Sequence, residues 1–465
     1  MRATERTSTG RRGSRRSARG AALLLVMVAI AILTALAADV AYDNQVRLRI
    51  AANGRDALRA EALARSAVNL SRLVLAFQAQ IDQSAQAMCS ATASLTATGQ
   101  TATAAGQTAT GQTATGQTAT DQAATSQAAA CPRVQIWSVI PVSSGLVQAL
   151  FGGGASPGHA AAPEGGARAA AAFGDFQGAF EARIEDEGAK VNLQFDSMLA
   201  QTGTLPLQVE SYLRLVCDPR WDPLFEREDA NGQRTTRQEL AAYLRDWADE
   251  DKTSSALAAS FPGGGACNFV LAANPFEQGF GDEGAAYDRG SDPYRPKNAR
   301  LDSVDELYLV AGVSDAFMAA FGDAVTVYQP ADAGLNVNSS RPEDELRIAR
   351  LMADPAAAAL VSDPAFPDRL HKALMDVRMG GFLTLSPSQF AAVVTGLGVP
   401  VRAEYATGST KNLTDRSFAY RIRATGAVGD VEEKIDAVVT FDPQKNADPQ
   451  AGKPLPGRLI HWREE

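Results

Sequence analysis

The sequence predicts an α+β protein carried on one N-terminal membrane helix, and three observations predict it. An uncharged apolar run near the N-terminus passes, with no proline before Pro132, into an amphipathic helical stripe. Helical periodicity dominates residues 205–330, and residues 418–465 alternate apolar and polar side chains as half-buried antiparallel strands do. With 465 residues, 45% of them hydrophobic, the chain can build two or three folded units with cores of their own.

The membrane element comes first. Residues 1–20 form a basic leader with seven Arg and one Glu, so this stretch is +6 while the rest of the chain must be −15 to give the net −9. Ala21 to Ala38 is uncharged and, at 1.5 Å per residue, spans about 27 Å as a helix, just enough to cross a bilayer. The positive-inside rule keeps the leader in the cytoplasm and puts everything after Ala38 on the far side. A cleavable secretory signal is the competing reading, since Ala35-Leu36-Ala37 is a passable small-x-small cleavage site. Retention is favoured because the run exceeds an ordinary signal core and the helix does not stop. Leu63, Leu70, Leu73, Val74, Phe77 and Ile81 recur at helical spacing, so the helix is expected over 21–83.

Residues 84–130 are set apart as an insertion. From 91 to 130 it has one charge, Asp121, one large aliphatic, Leu95, and a repeated TATGQ unit, too little apolar surface to offset the entropy of ordering. Residues 131–204 supply the first part of the head, with strands expected over Val134–Val142 and, broken by a Glu-Gly turn, over Phe180–Leu193; the Gly/Ala-rich Gly152–Ala172 lies between. In 205–330 helices are expected over Leu205–Leu215, Arg237–Asp249, Ser303–Ala311 and Ser314–Phe321. Residues 331–465 continue with helices over Pro342–Met352, Pro364–Leu374 and Ser386–Leu397, then strands over Phe418–Val428, Val431–Phe441 and Arg458–Trp462.

The chemistry-bearing residues are sparse. Cys89, Cys131, Cys217 and Cys267 all follow the membrane run and include no C-x-x-C, which favours disulfides over metal ligation and leaves three connectivities open. Cys89 with Cys131 and Cys217 with Cys267 is the preferred pairing, because each brackets one irregular stretch, while free buried thiols are the alternative. Asp246, Asp249, Glu250 and Asp251, then Asp282, Glu283, Asp288 and Asp292, make an acidic set that is either a calcium centre or a solvated face. His159, His371 and His461 are scattered, and no H-E-x-x-H, G-x-S-x-G or phosphate-loop motif occurs, so no enzymatic activity is expected. Asp186 and Glu187 read as a turn. An acidic chain is also a poor partner for nucleic acid, and the Leu307-x-x-Val310-x-Gly312-Val313 turn reads as a structural helix-hairpin-helix, not a DNA contact.

Several segments in order carry a resemblance: Arg19 to Leu36, DEGAKVNLQ at Asp186 to Gln194, RDWADED at Arg245 to Asp251, Gly281 to Val313, LNVNSS at Leu335 to Ser340, and the strands to the end. Together they resemble the type II secretion minor pseudopilins called general secretion pathway protein K (GspK). The resemblance implies a type IV pilin-like membrane helix, an antiparallel sheet head and a large inserted helical domain of helix-hairpin-helix or SAM-like kind. It implies cleavage by a prepilin peptidase after Gly20, leaving Ala21 as an N-methylated first residue. Leu25 stands where most pilin-like subunits carry Glu, and an apolar residue there suits a subunit with none ahead of it in a fibre.

The same resemblance implies calcium held by Asp249, Asp251 and Glu283, although no EF-hand loop is present and Gly284 replaces a second acid. The implied role is to cap the tip of a periplasmic pseudopilus with other minor pseudopilins, above the major pseudopilin. The chain would cross the bacterial inner membrane once, with its head in the periplasm. Two alternatives are a minor pilin of a type IV pilus system, and a secreted calcium-binding or adhesive module with an ordinary signal peptide.

Overall fold

The computed structural model describes residues 15–104, 133–151, 172–173, 176–196, 201, 203–228, 232, 234–262, 265–288, 293–330, 333–339, 341–407, 413–441 and 457–465. The expectations for the leader before Arg15, for Cys131 and for most of the TATGQ tract lie outside these residues.

One helix, Arg15–Ala104, organises the fold. Residues 22–51 are exposed, and none of the described residues buries them. Farther along, Ala60, Ala64, Ala67, Val68 and Leu75 face the inner side of the sheet and are buried there with Phe180, Ala182, Ile422, Ala424, Ile435, Ala437 and Val439. Small residues on both sides let the backbones approach closely, and Gly426 is the limiting contact: a Cβ there would lie 1.9 Å from the carbonyl oxygen of Ala60. The helix runs beyond the expected end at Gln83 to Ala104. No proline stops the run, and its alanines favour helix against the poorer propensity of its Thr, Ser and Gly99.

The sheet has five strands in the spatial order Val142–Ser143, Ala179–Asp186, Ala419–Val428, Val431–Thr440 and Arg458–Glu464, all antiparallel. Alternation places Ile422 and Ala424 against the long helix, while Arg421 and Arg423 point outward. The sequence expects a strand over Val134–Val142, and here the structure differs. Ile136–Ser138 is a 3-10 turn that drives Trp137 edge-on against Tyr420, with ring centroids 5.4 Å apart, and only Val142 and Ser143 pair with the sheet. Gln78 of the long helix fixes this return, donating to the carbonyl of Val134 and accepting from the amide of Ile136, both at 2.7 Å.

Two further cores sit beside the sheet. One gathers Leu205–Val216, Arg237–Ala248 and Asp315–Phe321 around Tyr212, Leu240, Trp247 and Phe321, and it reaches the outer side of the sheet through Val438 and Ala419. This block was expected to be mostly helical, but it also contains a long hairpin of Thr253–Ser260 with Val270–Asp282. The stretch Val304–Leu309 is a 3-10 helix, and Gly312 at φ +82° makes the turn into the next helix. The other core belongs to Pro342–Met352, Phe366–Val377 and Pro387–Gly396, packed around Ile348, Phe366, Leu370 and Phe390.

Candidate metal centre

The helix Arg237–Ala248 begins with a capping box in which Thr236 and Glu239 satisfy each other's backbone amides, and this fixes its phase. Its last turn therefore presents Asp246, with Asp249 following at the cap, toward the end of the hairpin, where Glu283 opens a short 3-10 turn. Ligand oxygens of Asp246, Asp249 and Glu283 all lie within 4.8 Å of one another, and the three residues are buried. Each carboxylate also has a partner outside the trio. Asp246 accepts from the amide of Ser255 at 2.7 Å, Asp249 pairs with Arg245 at 3.0 Å, and Glu283 accepts from the side-chain amide of Asn298 at 3.0 Å.

A second oxygen of Asp249 and of Glu283 is buried with no hydrogen-bond partner. Buried acceptors without donors are costly, and a hard cation that takes carboxylate oxygens removes the cost. The electrostatics agree with the geometry. Burial, reinforced by the neighbouring acids, pushes Asp246 up to about 7 and Glu283 up to about 8. Burial also raises Asp249 to about 6, against the pull of Arg245. Three carboxyls held this close resist ionising together without a positive charge among them.

Of the expected calcium ligands, the structure brings Asp249 and Glu283 together and leaves Asp251 out of the trio. Asp251 is exposed, with its Oδ1 accepting from the amide of Thr253 at 2.8 Å and its carbonyl accepting from Asn298. Asp246 takes the third place, and the signal for it was its i,i+3 spacing from Asp249 at the end of a helix. Asn298 adopts φ +51°, a left-handed conformation that asparagine tolerates better than most residues, and it braces both Asp251 and Glu283.

Cys217 and Cys267 form the expected disulfide, with Cα atoms 4.8 Å apart. Cys89 lies in the long helix, its side chain outside the described residues, so its pairing with Cys131 is not reached. The backbone at Gly20 and Ala21 is helical, and Leu25 is 71% exposed on the same helix.

Asp186 and Glu187 are more than a turn. Both are buried; although burial opposes its charge, Lys190 at 2.6 Å and Arg421 at 2.8 Å prevail and hold Glu187 down at about 2. Arg421 continues to Asp436 at 2.8 Å, and Asp186 accepts from the amide of Gly188 at 2.5 Å and from Asn336 at 2.6 Å, so both acids anchor the strand end.

Residues 269–330, which include Glu283 and the second hairpin strand, match the family model for the type II secretion system (T2SS), protein K. No curated protein matches the chain. Among solved structures, a chain of the GspK-GspI-GspJ complex from the enterotoxigenic Escherichia coli type 2 secretion system is similar, at 18% identity and a TM-score of 0.38. That match covers 62% of this chain and 80% of the other.

Proposed function

We propose that this protein is a minor pseudopilin of a type II secretion system, a tip subunit with no enzymatic activity that works by packing and assembly. The observation that carries the reading is the unbroken helix. Its apolar first part is long enough to cross a membrane and is left uncovered by the described residues, while its later turns are built into the head. A rod joined so firmly to a head can lie in lipid and then move with the head into a fibre. The match over 269–330 supports the type II assignment. The Cys217–Cys267 bond supports a head in an oxidising compartment, which for a bacterial inner-membrane protein is the periplasm.

On this reading a prepilin peptidase cleaves after Gly20 and Ala21 becomes the methylated N-terminus. Other minor pseudopilins and the major pseudopilin are the partners of the exposed helix. Close packing would use Ala29, Ala31, Ala35, Ala37 and Ala38. Calcium is the resident cation, bound by Asp246, Asp249 and Glu283, with Asp251 adding negative charge nearby.

Mass spectrometry of the native protein tests the reading. A mature start at methylated Ala21 supports it, whereas a start near Ala38 removes the rod and favours a secreted module. Co-purification with type IV pilus components in place of secretion components would favour a pilus minor pilin.

A further inference from the structure

The hairpin Thr253–Ser260 with Val270–Asp282 rests on the helical core through a few apolar side chains, Phe276 above all, with Leu257 and Leu271 beside it. Along its second strand only Pro275 and Phe276 are buried, and most of the first strand is half-buried at best. Two-stranded hairpins of this kind are marginal without outside support. Here Phe276, with its ring centroid 5.9 Å from that of Phe195, supports the middle, and polar and covalent ties hold the two ends.

At the base, Thr253 pairs with Asp282, Ser255 donates to Asp246, and Glu283 follows the second strand directly into the acidic trio. At the tip, beyond the Ser260 to Val270 pair, Cys267 is bonded to Cys217. Arg214 reinforces that end through the carbonyl of Cys267 at 3.3 Å and the face of Phe269 at 4.7 Å.

Both ends are fastened to one platform. Cys217 immediately follows the helix Leu205–Val216, and Asp246 and Asp249 lie at the end of Arg237–Ala248. These helices are joined by Arg237, which donates to the carbonyl of Val216 at 2.7 Å, and by Tyr212, which donates to the carbonyl of Arg237 at 3.0 Å. The hairpin is thus a strap roughly 25 Å long, at about 3.3 Å per residue, pinned by a covalent bond at one end and by the carboxylate centre at the other.

We propose that the Cys217–Cys267 disulfide sets the calcium affinity of the centre by holding Glu283 in register with Asp246 and Asp249. This rests on the calcium reading above and adds its regulation. With the bond open, the tip is held by Arg214 and by the packing of Phe276 and no longer covalently, so the second strand shifts more readily and carries Glu283 with it for part of the time. Calcium then has to restore that order, and its affinity falls. The coupling is reciprocal by thermodynamic necessity, so calcium must protect the disulfide from reduction by the same factor. Oxidation after export and cation loading are therefore two steps of one maturation.

The test uses the full-length protein in detergent. Calcium affinity is measured by calorimetry on the oxidised protein and on Cys217→Ser with Cys267→Ser. The expected result is a Kd raised about tenfold or more in the variant, within the usual range of coupling between sites. In parallel, the wild type is equilibrated in a dithiol/disulfide buffer with and without saturating calcium. Opening the bond consumes two electrons and two protons from the dithiol, which closes to its own disulfide.

The ratio of bonded to open Cys217–Cys267 at a fixed buffer potential, read by mass spectrometry, should rise with saturating calcium by the same factor. This arm needs no variant and stays informative if the double serine protein does not fold. Equal affinity in both proteins, or a redox midpoint that ignores calcium, overturns the proposal. No calcium binding by the oxidised wild type instead overturns the calcium reading itself.

Discussion

Replacing Gly426 by alanine tests the close approach of the long helix to the sheet. The new Cβ would stand 1.9 Å from the carbonyl oxygen of Ala60 and 2.7 Å from the amide nitrogen of Ala64. Both obstacles are backbone, so no side-chain rotation relieves them. To reach ordinary contact the helix must withdraw by about 1.5 Å, in an interior packed too densely to absorb it. A gap of that size removes a large part of the dispersion contacts made by Ala64, Ala67 and Val68. The expected cost is about 3 kcal/mol, at the upper end for overpacking.

Thermal unfolding followed by tryptophan fluorescence reports it, because Trp137 packs in the same core. Hydrogen exchange of amides 60–68 should accelerate while the helical lobe around Phe390 keeps its protection. Gly396→Ala is the control, since nothing lies within 4 Å of its added methyl, and it should shift stability by less than about 1 kcal/mol. Unchanged unfolding and exchange in Gly426→Ala would refute the claim that helix and sheet are locked backbone to backbone.

Three other predictions follow from the same physics. Asp246 and Glu283 have folded values near 7 and 8, above their ordinary carboxylate values, so the cation-free fold holds protons that the unfolded chain has released. Its stability is therefore greatest in acid and declines as pH rises through 7 to 8, and calcium should flatten that slope; a chelator titration at pH 5 and pH 8 that shows equal midpoints would contradict it. Loss of the Cys217–Cys267 bond frees a loop of 50 residues in the unfolded chain, which by the loop-entropy argument costs about 4 kcal/mol in denaturant unfolding. Arg378→Met strips Glu345 of a buried partner at 2.8 Å and leaves the carbonyls of Val337 and Ser339 without their donor, so a loss of about 3–5 kcal/mol is expected. Adding Glu345→Gln should recover part of it, and no recovery would mean that the carbonyl contacts, not the ion pair, dominate.

Much of the architecture was legible because local signals and burial agree. Ser386 with Gln389 and Thr236 with Glu239 are capping boxes that announce helix starts, and Pro342 occupies a first turn where its missing amide costs nothing. The strands Ala419–Val428 and Val431–Thr440 alternate cleanly where the sheet separates two environments. The hairpin over 253–282 was invisible for the opposite reason. Its faces are both largely exposed, so no alternation of apolar residues marks it, and its place is set by contacts distant in sequence. Val134–Val142 has β-branched content, yet the need to seat Trp137 and satisfy Gln78 prevails over propensity.

At the site, two of three expected ligands converge because they flank the hairpin. Asp251 entered through the family resemblance, but its carboxylate accepts from the amide of Thr253 and caps a turn at the surface, apart from the buried trio.

The clasp that Gln78 makes on Val134 and Ile136 has a further consequence. Because the polypeptide re-enters the head beside the helix it departed from, the number of TATGQ units can drift with little effect on folding. A closed loop loses only about 0.6 kcal/mol for each doubling of its length. A chain with one TATGQ unit added or removed should therefore keep a head of nearly equal stability.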